Sequence, residues 1–75
     1  MSRVVKVLVV DGNGYGVYGK EVYTYQNRDD KQYSGSDGEC TVVLSTDYDD
    51  AIYVNGSEKW KGSASNCKNP LVVRV

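Results

Sequence analysis

Gly35-Ser36-Asp37-Gly38-Glu39-Cys40-Thr41-Val42-Val43-Leu44 is the stretch on which the fold turns. Ser, Asp and Gly favour tight reversals, because Ser and Asp side chains bond nearby backbone and Gly accepts positive φ. Ser36-Asp37-Gly38 therefore predicts a turn. Beyond it, Cys40, Val42 and Leu44 fall on one face of a period-2 strand and Glu39, Thr41, Val43 and Ser45 on the other. The first set is the expected core face.

Working outward, the same alternation recurs. From Arg3 to Val10, the residues Val5, Val7 and Val9 share one face and Val4, Lys6, Leu8 and Val10 the other. Both faces are largely apolar, which fits a strand whose second face is partly covered or meets a partner. Asp11-Gly12-Asn13-Gly14 carries the chemistry of a tight hairpin turn. Tyr15 to Gln26 is rich in strand-favouring Val, Tyr and Thr, with Gly19 marking a bulge or bend. Val22 and Thr24 face one way there, Tyr23 and Tyr25 the other. Asn27 to Lys31 reads as a loop and Gln32 to Ser34 as a short strand. Downstream of Leu44, Ser45 to Asp50 reads as an acidic loop and Ala51 to Val54 as a strand. Asn55-Gly56 predicts a second hairpin returning through Lys59, Trp60 and Lys61. Gly62 to Pro70 is loop-like, and Leu71 to Val75 closes the chain as a strand. Six or seven short strands at regular spacing, with no amphipathic helix, are the pattern of an all-β sandwich or barrel. Residues 1–75 are expected to form a single domain with a thin core.

A turn of the form Asp-Gly-x before an alternating strand, downstream of an Asp-x-x-Gly turn and a Val-x-Gly-x-x-Val segment, resembles the small Greek-key sandwiches of the transthyretin-like group, of which carboxypeptidase regulatory-like modules are typical. The residues carrying the resemblance are Val7, Val9, Asp11 and Gly14, then Val17, Gly19 and Val22, then Asp37, Gly38, Cys40, Val42 and Leu44, and lastly Ile52, Val54 and Gly56. It implies a small antiparallel Greek-key β-sandwich.

Composition narrows function. Nine basic and ten acidic residues give a formal charge of −1, and no basic cluster is present, which argues against nucleic acid as a partner. Histidine is absent, so Ser-His and Cys-His nucleophile pairs are ruled out within one chain. The expectation is a protein without enzymatic activity, metal or cofactor. Arg3 and Lys6 interrupt the N-terminal stretch and Val7 to Val10 is too short to span a membrane. A cytoplasmic location is expected, or a periplasmic or secreted one if a leader has been removed.

Gly14-Tyr15-Gly16-Val17-Tyr18-Gly19 satisfies G-x-G-x-x-G, yet a strand-like Lys20 to Tyr25 follows where a dinucleotide site needs a helix. It reads as turn chemistry. Asp47, Asp49 and Asp50 offer oxygen ligands without the closing Glu of an EF-hand loop, and read as a solvated acidic loop. Cys40 and Cys67 are too few and too far apart to announce a zinc site. Joined, they would close a long loop and stabilise the fold by about 3 kcal/mol on the chain-entropy model. In a reducing compartment they are expected as free thiols, Cys40 as a small buried hydrophobe. Asn55-Gly56-Ser57 fits a glycosylation sequon and is read as hairpin chemistry.

With no Phe, seven Tyr and Trp60 supply all the aromatic surface, each keeping a polar handle. Tyr23 and Tyr25 share a face, and Tyr18, Tyr33, Tyr53 and Trp60 are expected near them if the strands pair regularly. Two functions follow. One is a non-enzymatic interaction or structural module, recognising a protein partner or pairing with itself as a homodimer through an edge strand or the outer face of Val4, Leu8 and Val10. The other is a carbohydrate-binding module built from Tyr18, Tyr23, Tyr25, Tyr53 and Trp60.

Overall fold

Alternation becomes burial along the first strand: Val5, Val7 and Val9 are fully buried, while Val4 and Lys6 between them are exposed. The computed structural model describes residues 1–75. It contains seven strands: β1 Ser2–Val10, β2 Glu21–Thr24, β3 Gln32–Tyr33, β4 Glu39–Ser45, β5 Asp50–Val54, β6 Ser57–Gly62 and β7 Leu71–Arg74. A 3₁₀ turn, Ala64–Asn66, is the one helical element. The strands form a three-stranded sheet, β4-β1-β7, and a four-stranded sheet, β3-β2-β5-β6. Between the sheets lie Val5, Val7, Val9, Val42, Leu44 and Val73 from the first, and Val22, Ile52 and Val54 from the second. The molecule is therefore a small all-β domain, and the Cys40, Val42, Leu44 face does point inward.

One pairing departs from the all-antiparallel expectation. β1 and β4 are antiparallel, with Val5 opposite Val42, but β1 and β7 are parallel, with Val7 opposite Leu71. Parallel neighbours need a crossover rather than a hairpin. The chain supplies one by leaving β6 in the other sheet and crossing through the 3₁₀ turn. Arg3 braces the crossing, its guanidinium donating to the carbonyls of Ala64 and Cys67, the latter at 2.7 Å.

The segment expected as a strand from Tyr15 to Gln26 is a strand only over Glu21–Thr24. Its first half is a crossing between sheets, because it divides its hydrogen bonds between β1 of one sheet and Ser34, just past β3, of the other. Val10 and Gly16 form an isolated bridge. The Val17 N–H donates to the Val9 carbonyl at 2.9 Å, and the Gly19 N–H to that of Ser34 at 2.8 Å. Buried Ser34 then pins it, Oγ donating to the Val17 carbonyl at 2.6 Å and accepting from the Lys20 N–H at 2.9 Å.

The central turn fixes where this crossing runs. The Gly38 carbonyl accepts from the Val9 N–H at 2.8 Å. Gly38 has φ 82° and its Cα lies against Gly16, and a methyl group on either glycine would overlap backbone: the Asp37 carbonyl for Gly16, the Val9 carbonyl for Gly38. At Asp11-Gly12-Asn13-Gly14 only Gly14 takes positive φ. The carboxylate of Asp11 organises that turn, accepting from the N–H groups of Asn13 and Tyr15.

Candidate functional site

Two outward faces carry the chemistry that the sequence singled out. On the four-stranded sheet, β2 and β5 pair so that Tyr23 stands directly opposite Tyr53. Their rings stack at 5.2 Å between centroids and 12° between planes. Lys31 Nζ lies 5.6 Å from the Tyr23 ring and 3.9 Å from the Glu21 carboxylate. Tyr25, just past β2, carries the Arg28 guanidinium over its ring at 4.5 Å. Tyr33, opposite Glu21 across β2 and β3, is exposed. Beside the stack a cleft of about 280 Å³ is walled by Tyr25 and Tyr53, with Asp49, Glu58 and Lys61 at its rim and the small side chain of Ala51 among its lining. Aromatic walls with acceptors and a cation at the rim suit a small polar ligand or a partner's side chain.

Two members of the expected aromatic set are elsewhere. Tyr18 sits in the turn before β2, exposed and in no ring pair. Trp60 faces the opposite way, against the core cluster. The cause is a bulge in β6. Tyr53 pairs with Glu58 but Ile52 pairs with Trp60, so Lys59 is an extra residue between them. A regular two-residue hairpin would have placed Trp60 opposite Ala51 on the tyrosine face; one inserted residue sends it to the other side.

On the three-stranded sheet, the expected face of Val4, Leu8 and Val10 holds in part. Val4 is 59% exposed and Leu8 half-buried, but Val10 is only 3% exposed. Val10 is enclosed because both flanks of its backbone are occupied, by the bridge to Gly16 and by the Val75 N–H donating to its carbonyl at 3.0 Å. Two residues complete the face instead. Val43 pairs opposite Val4, and Val72 opposite Leu8. Both are exposed, Val72 at 56%. Lys6 lies between Val4 and Leu8 along β1, opposite Thr41, and its Nζ is 3.8 Å from the carboxylate of Glu39, which stands opposite Leu8 on β4. The alternation of β4 had already set Val43 outward; Val72 needed the parallel register of β7.

The remaining candidates resolve into structure. Cys40 and Cys67 are both free, Cys67 the more deeply buried, and burial pushes both thiols up, opposed at Cys67 by the nearby Arg3 charge. Asp50 is no part of a solvated loop: it opens β5 and is 2% exposed. Its carboxylate accepts from the N–H groups of Gln26, Ser45 and Ala51, at 3.1, 3.0 and 2.8 Å, tying together the ends of three strands. A buried carboxylate held by backbone donors in this way is a structural clasp. No three His, Cys, Asp or Glu side chains converge as a metal-holding group. In the G-x-G-x-x-G segment Gly14 and Gly19 take positive φ, Gly16 allows backbone contact, and a strand follows. No helix is long and apolar enough to cross a membrane. Compared with models of known protein families, with curated proteins and with solved structures, the chain matches none.

Proposed function

We propose that this chain is a non-enzymatic interaction module that pairs with itself through the outer face of its three-stranded sheet. The observation that carries this reading is the uncovered apolar face of Val4, Val43, Leu8 and Val72, with Lys6 between Val4 and Leu8 along β1 and Glu39 opposite Leu8 on β4. Contiguous exposed apolar surface marks interaction sites. An isologous interface must be self-complementary, and a face that carries one cation and one anion beside its apolar residues meets that condition: in a copy turned by two-fold symmetry, Lys6 meets the partner's Glu39. The transthyretin-like resemblance is supported by the path of the chain, since β4 returns to lie beside β1 after the β2 and β3 pair, as the closing strand of a Greek key does.

Sedimentation velocity over a concentration series tests the reading. A concentration-dependent dimer is expected, abolished by Val43→Lys; a monomer at the highest soluble concentration overturns it. A second reading, carbohydrate recognition, is favoured by the cleft between Tyr25 and Tyr53. Its reporter is tyrosine, not Trp60, which faces away. A panel of neutral oligosaccharides should perturb the NMR signals of Tyr25, Tyr53 and Ala51, and the absence of any perturbation removes it.

A further inference from the structure

The four sheet edges are not treated alike. β3 is only two residues long, and a short edge offers little to pair with. Along β4 the segment that follows β2 closes in, with Thr24, Asn27, Asp30 and Gln32 sharing a small cavity of about 130 Å³ with Thr41 and Val43. β6 is interrupted by its bulge, with Lys59 as the inserted residue, two devices that block strand addition. β7 has none of these. Its sequence Leu-Val-Val-Arg is regular and apolar, with Leu71 half-buried and Val72 exposed. The Val75 N–H donates inward to Val10. By strand alternation the N–H and C=O groups of Val72 and Arg74 point away from β1, towards the open edge.

Beside that edge the sandwich is open. A cleft of about 450 Å³ is lined by Trp60 from β6, by Pro70, Leu71 and Val72 at β7, and by Asn66 and Lys68 from the crossover. Trp60 and Leu71 reach it from the core side, where both pack against buried residues. The charges present are cationic: Lys68 in the lining and Arg74 at the end of the strand, and neither belongs to an ion pair.

We propose that the free edge of β7 is a strand-docking site for an extended, acidic segment of a partner protein. The added strand takes its main-chain bonds from Val72 and Arg74. Alternate apolar side chains enter the cleft over Trp60 and Leu71, and the intervening carboxylates meet Arg74 and Lys68. This is strand addition, in which backbone pairing supplies affinity and alternate side-chain pockets supply specificity. The site shares Val72 with the self-association face, its backbone here and its side chain there, and the two are read separately: sedimentation reports the outer face, whereas Trp60, the sole tryptophan, reports the cleft.

The probe is a six-residue peptide alternating isoleucine and glutamate, capped at both ends, titrated against Trp60 emission with dilute protein; the isoleucine and lysine counterpart is the control. Saturable binding of the acidic peptide and a weaker response to the basic one are expected. Val72→Pro removes one outward N–H without touching the β1 ladder, as edge prolines do, and should weaken binding by roughly tenfold. Arg74→Glu should invert the preference between the two peptides, and keeps the test decisive where Val72→Pro fails to fold. An unchanged Trp60 emission, equal affinity for the two peptides, or undiminished binding by a folded Val72→Pro protein overturns the proposal.

Discussion

Gly16 and Gly38 are the positions with least tolerance, because two backbone segments pass through the space a side chain would need. Gly16→Ala and Gly38→Ala should each destabilise by about 1–3 kcal/mol or more, the usual cost of overpacking, with a further penalty at Gly38 for its positive φ. Gly12 has open space around it, so Gly12→Ala should be close to neutral. Urea titrations of the three variants make the comparison. Leu44 is fully buried, and Leu44→Ala should cost roughly 2–5 kcal/mol. Glu39→Gln should change stability by at most about 1 kcal/mol, since its pairing with Lys6 is solvent-exposed. Asp37 contributes to the acid dependence of stability. Its carboxylate accepts from the Glu39 N–H at 3.0 Å, which holds its pKa below the ordinary carboxylate value. A depressed folded pKa stabilises the fold above the unfolded pKa, and that stability fades as pH falls through the folded one. NMR titration of the side chain should give a midpoint below the normal range, and Asp37→Asn should flatten the acid dependence of melting temperature.

At the scale of elements, β6 carries the sharpest expectation. The hairpin turn has Asn55 at φ 54° and Gly56 at φ 85°, the two left-handed residues of a type I′ reversal that set a tight register. The bulge at Lys59 then resets it. Deleting Lys59 should remove the bulge and leave Trp60 opposite Ile52 on the core side, read as an unchanged Trp60 emission from a folded variant. A red-shifted emission from a folded deletion variant would show that the facing of Trp60 is not set by its register opposite Ile52. The crossing from Tyr15 to Lys20 shows the limit of propensity in the other direction. Its Val and Tyr residues favour strands, but the hydrogen bonds of Val17 and Gly19 go to Val9 and Ser34, and a segment shared between two sheets cannot extend a ladder in either.

For the whole molecule, pairing is dominated by partners distant in sequence: Ser2 with Ser45, Val7 with Leu71, Val22 with Val54. Loop closure precedes the contacts that compensate for it, which slows such folds. The main refolding phase, followed by Trp60 fluorescence, should fall in the range of about milliseconds to seconds. What local chemistry determines was legible from the residues alone. Alternation placed Val5, Val7, Val9, Val42 and Leu44 in the core, Asp37-Gly38 and Asn55-Gly56 in reversals, and Tyr23 with Tyr53 on an outer face, because a strand's side-chain period and a turn's φ requirements act over two to four residues. Single residues decided the rest only through distant partners. The parallel seating of β7 put Val72 beside Leu8, the bulged pairing of β6 with β5 left Trp60 on the core side, and the ends of three strands met around Asp50. None of these follows from the chain near the residue concerned, since each is set by which strand lies alongside and in what register, and register is a property of the assembled sheets.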